Sequence, residues 1–121
     1  MSTSSTYLAV FIGSKDGAQA KAWAALSESE RETRSKAGAA AWGEWVQKHQ
    51  ASILELGGPL GKTKVVSSKG IADTTNMLAA FTLVRAESHE AAAKLFEKHP
   101  HFAIFPGDCV EIMPIKPIPV R

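Results

Sequence analysis

Two hydrophobic patterns alternate along the chain. Tyr7-Leu8-Ala9-Val10-Phe11-Ile12 is a short β-branched and aromatic run stopped by Gly13, Asp16 and Gly17. It predicts a strand and then a turn. From Ala18 the spacing becomes helical. A first, Ala-rich piece runs to Leu26. Ser27 then stands three residues before Glu30, a capping-box signature, so a longer helix is expected from about Glu28 to His49. At about 100° per residue, Gly38, Trp42, Trp45, Val46 and His49 share one face. A second strand is expected over Ser52–Leu56, closed by Gly57-Gly58-Pro59. Lys62–Ser68 reads as β-rich, and Gly70–Thr75 as a polar turn. Asn76–Arg85 is the clearest central strand. Ser88 caps a helix expected over His89–Lys98, ended by His99-Pro100. Phe102–Gly107 reads as a loop and Asp108–Met113 as the last strand. Pro114, Pro117 and Pro119 keep the tail extended and out of any ladder.

The resulting order, β-α-β-β-α-β, is the split βαβ of ferredoxin-like α+β domains with an antiparallel sheet. Residues 1–5 read as a flexible start, 6–115 as one domain and 116–121 as an extended, Pro-rich tail. The strand alternation carries a further expectation. Met77, Ala79, Phe81 and Leu83 alternate with Leu78, Ala80, Thr82 and Val84, and Tyr7, Ala9 and Phe11 with Leu8, Val10 and Ile12. Both strands are apolar on both faces, whereas an antiparallel sheet usually turns one polar face to water. Two helices cover one face. The other is covered either by a second copy of the chain, the simplest solution, or by the tail and the 57–75 segment.

The 121 residues fit a single domain. A net charge of +2 is too weak to imply a nucleic-acid or acidic-membrane partner. No apolar run reaches the roughly 18 residues a spanning helix needs. The polar start lacks the basic residues and cleavage site of a secretory signal, so a soluble, cytoplasmic domain is expected. The single cysteine, Cys109, excludes an internal disulfide and any multi-cysteine metal site. In a strand it reads as a small apolar residue.

Candidate chemistry is sparse. Gly57-Gly58-Pro59-Leu60-Gly61-Lys62-Thr63 is one residue short of a phosphate loop, and a β-rich stretch rather than a helix follows it. Its glycines instead suit a positive-φ turn and a close backbone approach. His99-x-His101 offers two imidazoles without a third ligand at any required spacing, so no metal or cofactor is expected. His99 also suits the C-terminus of the preceding helix, where the dipole favours a cation. Trp42 and Trp45 supply two large apolar surfaces one turn apart, as core packing or as the wall of a cleft shared with His49. An RNA-recognition domain shares the element order, but Leu78–Val84 lacks the stacking aromatics such a sheet needs.

Several short pieces, in order, resemble the YCII-related family and its DGPF-like branch. They are Tyr7–Ile12, Trp42-Gly43-Glu44-Trp45, Gly57-Gly58-Pro59-Leu60, Asn76–Val84, Ser88-x-Glu90-Ala91-Ala92, Pro100 and Val110-Glu111-Ile112-Met113-Pro114. The resemblance spans about Tyr7 to Ile115. It implies a dimeric α+β barrel in which two sheets pack face to face, and a cleft near Trp42, Trp45 and His99. The His–Asp pair of the YCII-type members falls on Ala41 and His99, so that pair is absent. Of the acidic loop of the other branch only Asp73 remains. The expectation is a homodimeric small-molecule-binding protein or a cofactor-independent enzyme. In it His99 would act as the acid or base, Trp42 and Trp45 as walls, and His49, Asp73, Asn76 and His101 as orienting groups. The competing expectation is a non-catalytic interaction domain associated with transcription.

Overall fold

The computed structural model describes residues 5–119. Residues 1–4 of the expected flexible start, and residues 120–121 of the tail, lie outside the described residues. Ser5 belongs to the first strand rather than to the start.

Strand β1 (Ser5–Ile12) leads into helices α1 (Ala18–Ala25) and α2 (Glu28–Lys48). The Ser27 signature is realised in full. Ser27 Oγ accepts from the Glu30 backbone N–H at 3.1 Å, and Glu30 Oε1 accepts from the Ser27 N–H at 2.8 Å. Two of the four orphan donors of α2 are thereby satisfied. A short 3₁₀ turn over Gln50–Ser52 precedes β2 (Ile53–Pro59). Strands β3 (Thr63–Ser67) and β4 (Gly70–Thr74) then form a separate hairpin. The expected polar turn over Gly70–Thr75 is therefore mostly strand. Its weak β formers Gly70, Ala72 and Asp73 gain ladder partners in Ser67, Val65 and Lys64, with Gly70 taking φ +105° at the turn. Next come β5 (Leu78–Ala86), α3 (His89–Lys94), the single-turn helix α4 (Pro100–Ala103) and β6 (Cys109–Pro114).

The main sheet has the order β2-β5-β1-β6, all antiparallel. With the β3–β4 hairpin set aside as an insertion, this is the ferredoxin-like α+β topology. Helix α3 stops at Lys94, four residues earlier than expected, and Lys98 takes φ 58° just before His99-Pro100. Pro100 then starts α4, where its missing N–H costs nothing. The loop expected over Phe102–Gly107 thus begins inside a helical turn. The tail leaves the ladder with one more bond, from Ile115 N–H to Thr6 O at 2.9 Å.

The core lies between the helices and one sheet face. Tyr7, Ala9, Phe11 and Val84 from the sheet pack against Trp45 of α2 and Ala92 and Phe96 from the α3 region. The opposite face keeps the predicted apolar alternation. Leu8 pairs across to Leu83 and Met113, and Val10 to Phe81 and Glu111. Leu8, Phe81 and Leu83 are half-buried there, and Met113 is 39% exposed. No helix of the described residues is long and apolar enough to cross a membrane.

Candidate functional site

A cavity of ≈ 590 Å³ opens between α2 and the β2 edge of the sheet. Helix α2 contributes Ala39, Trp42 and Gly43. Strand β2 contributes Leu56 to Pro59, β5 contributes Ala80 to Thr82, and Phe11 and Phe105 complete the wall. The volume is that of a typical ligand pocket, about 300–1,000 Å³.

Glycines create the space. Strand β2 departs from regular pairing between Ile53 and Gly58, and Gly57 sits in the departure at φ +71°. A Cβ on Gly57 would lie 2.1 Å from the Phe81 carbonyl oxygen. The positive φ and close approach suggested by the sequence therefore both fall on Gly57. Gly57→Ala is expected to lower stability by about 2 kcal/mol, from αL strain plus a clash with backbone that cannot yield. Urea unfolding checks it, and a loss under about 0.5 kcal/mol would contradict this conformation. At the far end Gly38 of α2 admits the Phe105 ring, since a Cβ there would stand 2.5 Å from Phe105 Cε2.

Behind Phe11 and Trp42 lies a second layer built on His99, which is fully buried. Its ring centroid is 4.5 Å from Trp42, 4.7 Å from Trp45, 5.1 Å from Phe11 and 6.0 Å from Phe96. His99 Nδ1 accepts from the His101 backbone N–H at 3.0 Å, capping the start of α4. Nδ1 is an acceptor in that bond, so the neutral ring carries its proton on Nε2. Nε2 has no hydrogen-bond partner. Burial in the aromatic layer lowers the His99 pKa to about 4, helped by the nearby His101 and then His49. His101 is also walled in: its Nε2 donates to Ile12 O at 2.8 Å. Gly107 lies against it, where a Cβ would come 2.2 Å from His101 Nε2.

Of the site residues expected from the sequence, only Trp42 lines the cavity. Trp45 belongs to the core, its Nε1 donating to Leu95 O at 2.7 Å. His99 lies against both tryptophans, inside the core. Its buried ring is not presented to the cavity, so the expected acid–base position is corrected to a cap and a packing element. It caps the N-terminus of α4, not the C-terminus of the preceding helix. His49 stacks obliquely beside Trp45 at 5.2 Å, its pKa lowered by burial and by Lys48. Asp73 and Asn76 are not brought to the cleft. Asp73 pairs with Lys64 at 2.6 Å on the exposed hairpin, and Asn76 caps the start of β5, its Oδ1 accepting from Leu78 N–H at 2.9 Å. Among the described residues no three His, Cys, Asp or Glu side chains are grouped to hold a metal ion. Phe11 and Phe105 are the walls that sequence reasoning missed. Gly38, four residues before Trp42 on the buried helix face, was the available signal for Phe105.

The fold and cavity define an α+β, ferredoxin-like domain with an apolar cleft between its long helix and its sheet edge. No family model matches the chain, and no curated protein matches it. Among solved structures it is similar to 5-chloro-2-hydroxyhydroquinone dehydrochlorinase (TftG) from Burkholderia phenoliruptrix AC1100, in complex with 2,5-dihydroxybenzoquinone. The TM-score is 0.54 at 19% identity, over 92% of this chain and 93% of that one. The likeness is one of fold.

Proposed function

We propose that the chain is a homodimeric small-molecule-binding protein related to the YCII family, its ligand held in the cleft between α2 and β2. The cavity carries this reading. A domain of this size has little reason to keep ≈ 590 Å³ of apolar-walled space beside its core unless something occupies it. The similar structure of TftG, solved with a ring compound bound, supports the same reading. None of the cavity's lining residues is ionisable, which favours binding over acid–base catalysis by the wall itself.

The dimer follows from the second apolar sheet face, with Leu8, Val10, Phe81 and Leu83 meeting their copies. Native mass spectrometry of protein purified gently from its own host tests both parts. A dimer carrying a reproducible small extra mass is expected, and a bare monomer would contradict the reading. Leu83→Glu is expected to weaken the dimer at least tenfold, because an unpaired carboxylate would be buried at the interface. Light scattering behind size exclusion reads this out, and an unchanged dimer would remove that face from the interface.

The interaction-domain reading is favoured by one observation. Val66 and Ile71, paired across the hairpin, are 75% and 72% exposed. A bare dimer that carries a second protein would support it.

A further inference from the structure

We propose that the cavity selects an uncharged, planar aromatic compound, an inference that rests on the small-molecule reading above and narrows its ligand class.

The shape argument comes from what the two long walls lack. Ala39 and Gly43, one turn apart on α2, look across to Gly57 and Gly58 on β2. A Cβ at Gly43 or at Gly58 would meet nothing within 4 Å. At these four positions the helix and the strand edge therefore project nothing larger than a methyl group into the slot. Rings bound it: Phe11 and Trp42 lie 30° from parallel with centroids 5.2 Å apart, and Phe105 stands 6.2 Å from Trp42. Such walls gain from a flat ring by apolar burial and by ring–ring contact.

The charge argument comes from the same residues. No lining side chain is ionisable, so an ion entering the slot would lose water without meeting a counter-charge. The one lining hydroxyl, on Thr82, spends its proton on Leu56 O at 2.7 Å. What remains for a ligand's polar edge is the acceptor side of the Thr82 hydroxyl and the backbone of edge strand β2 around Gly57, where its ladder to β5 is irregular. That set can meet a single hydroxyl or carbonyl and leaves a full charge uncompensated.

The test uses three naphthalenes that share one ring system: naphthalen-1-ol, naphthalene-1-carboxylate and 1-naphthylmethylammonium at pH 7. Isothermal titration against the intact protein reads each affinity. The expected result is at least tenfold tighter binding of the naphthol than of either ion. Its binding should be lost in Gly43→Leu, which fills the slot from the helix wall. Leu is a better helix residue than Gly, so the variant should unfold no earlier than the parent, and circular dichroism during heating verifies that. A carboxylate or ammonium that binds as tightly as the naphthol would overturn the ligand class while leaving the small-molecule reading in place. Naphthol binding that survives in a folded Gly43→Leu would overturn the location. Failure of all three rings to bind would overturn the small-molecule reading, and the ligand class with it.

Discussion

Truncating Phe11 to alanine is expected to lower stability by about 3–5 kcal/mol, the range for a fully buried phenylalanine. Phe11 is completely buried in β1, which is flanked by β5 and β6. Its ring touches Trp42, His99, His101 and Phe96, with centroids between 5.1 and 6.0 Å away. It also forms part of the cavity wall. Removing it deletes apolar burial and joins the cavity to the layer behind. Most domains have only about 5–15 kcal/mol in total, so the variant should sit near its unfolding threshold. Phe11→Leu, which keeps most of the volume, should cost far less, about 1–1.5 kcal/mol. Urea unfolding of both, with unchanged m-values, decides it. A loss below about 1 kcal/mol for the alanine variant would mean that the core is centred elsewhere.

The second large effect is acid lability from His99. Unfolded, this imidazole takes up a proton below its ordinary pKa of 6.5; folded, it does so only near about 4. Between those values the unfolded chain binds one proton more than the folded one, so stability falls as the pH falls. The loss should be complete near pH 4 and on the order of 3 kcal/mol, from about 1.4 kcal/mol per pKa unit. His49, whose pKa is also lowered by burial, adds in the same direction. His99→Asn keeps an oxygen that can accept from the His101 N–H and removes the titrating group. Its stability should change distinctly less between pH 6.5 and pH 4. An unchanged acid slope would mean that His99 is not buried in its neutral form. The two predictions are coupled. Phe11→Ala opens the layer around His99, so whatever stability survives should be less acid-sensitive.

The elements that local chemistry specifies were legible in the sequence. The Ser27–Glu30 box starts α2 where the pattern placed it, and the run Tyr7–Ile12 lies within β1. The glycine pair after Leu56 was legible as a positive-φ site with close backbone approach, although it lies inside β2, which runs on to Pro59, and not at a turn that ends the strand. Gly57 meets both conditions at φ +71° against Phe81 O. What was illegible depends on distant partners. Gly70–Thr74 has weak strand character and becomes β4 only because β3 lies beside it. His99 sits between a helix end and a helix start. Its assignment to the latter follows from Pro100 opening α4 and from a ring nitrogen accepting the His101 N–H. The cavity was the least legible feature. It exists because the Phe105 ring passes over Gly38 and because β2 leaves register near Gly57; the glycines mark both places, but what packs against them is set by residues far along the chain. Asp73 and Asn76 entered the expected site through the family resemblance, Asp73 as what remains of the acidic loop of the DGPF-like branch. The hairpin insertion carries that part of the chain away from the cleft.

The three tryptophans allow the central claim to be tested most directly. Trp42 lines the cavity, Trp45 is sealed in the core by its bond to Leu95 O, and Trp23 packs against the Phe105 ring from α1. In a ¹H–¹⁵N correlation spectrum each indole N–H gives its own peak. On titration with naphthalen-1-ol, the Trp42 peak and the Gly57 and Gly58 amides are predicted to shift together with a common saturation curve, while Trp45 stays nearly still. Saturable shifts confined to the hairpin or the outer sheet face, with Trp42 unmoved, would contradict a ligand site between α2 and β2.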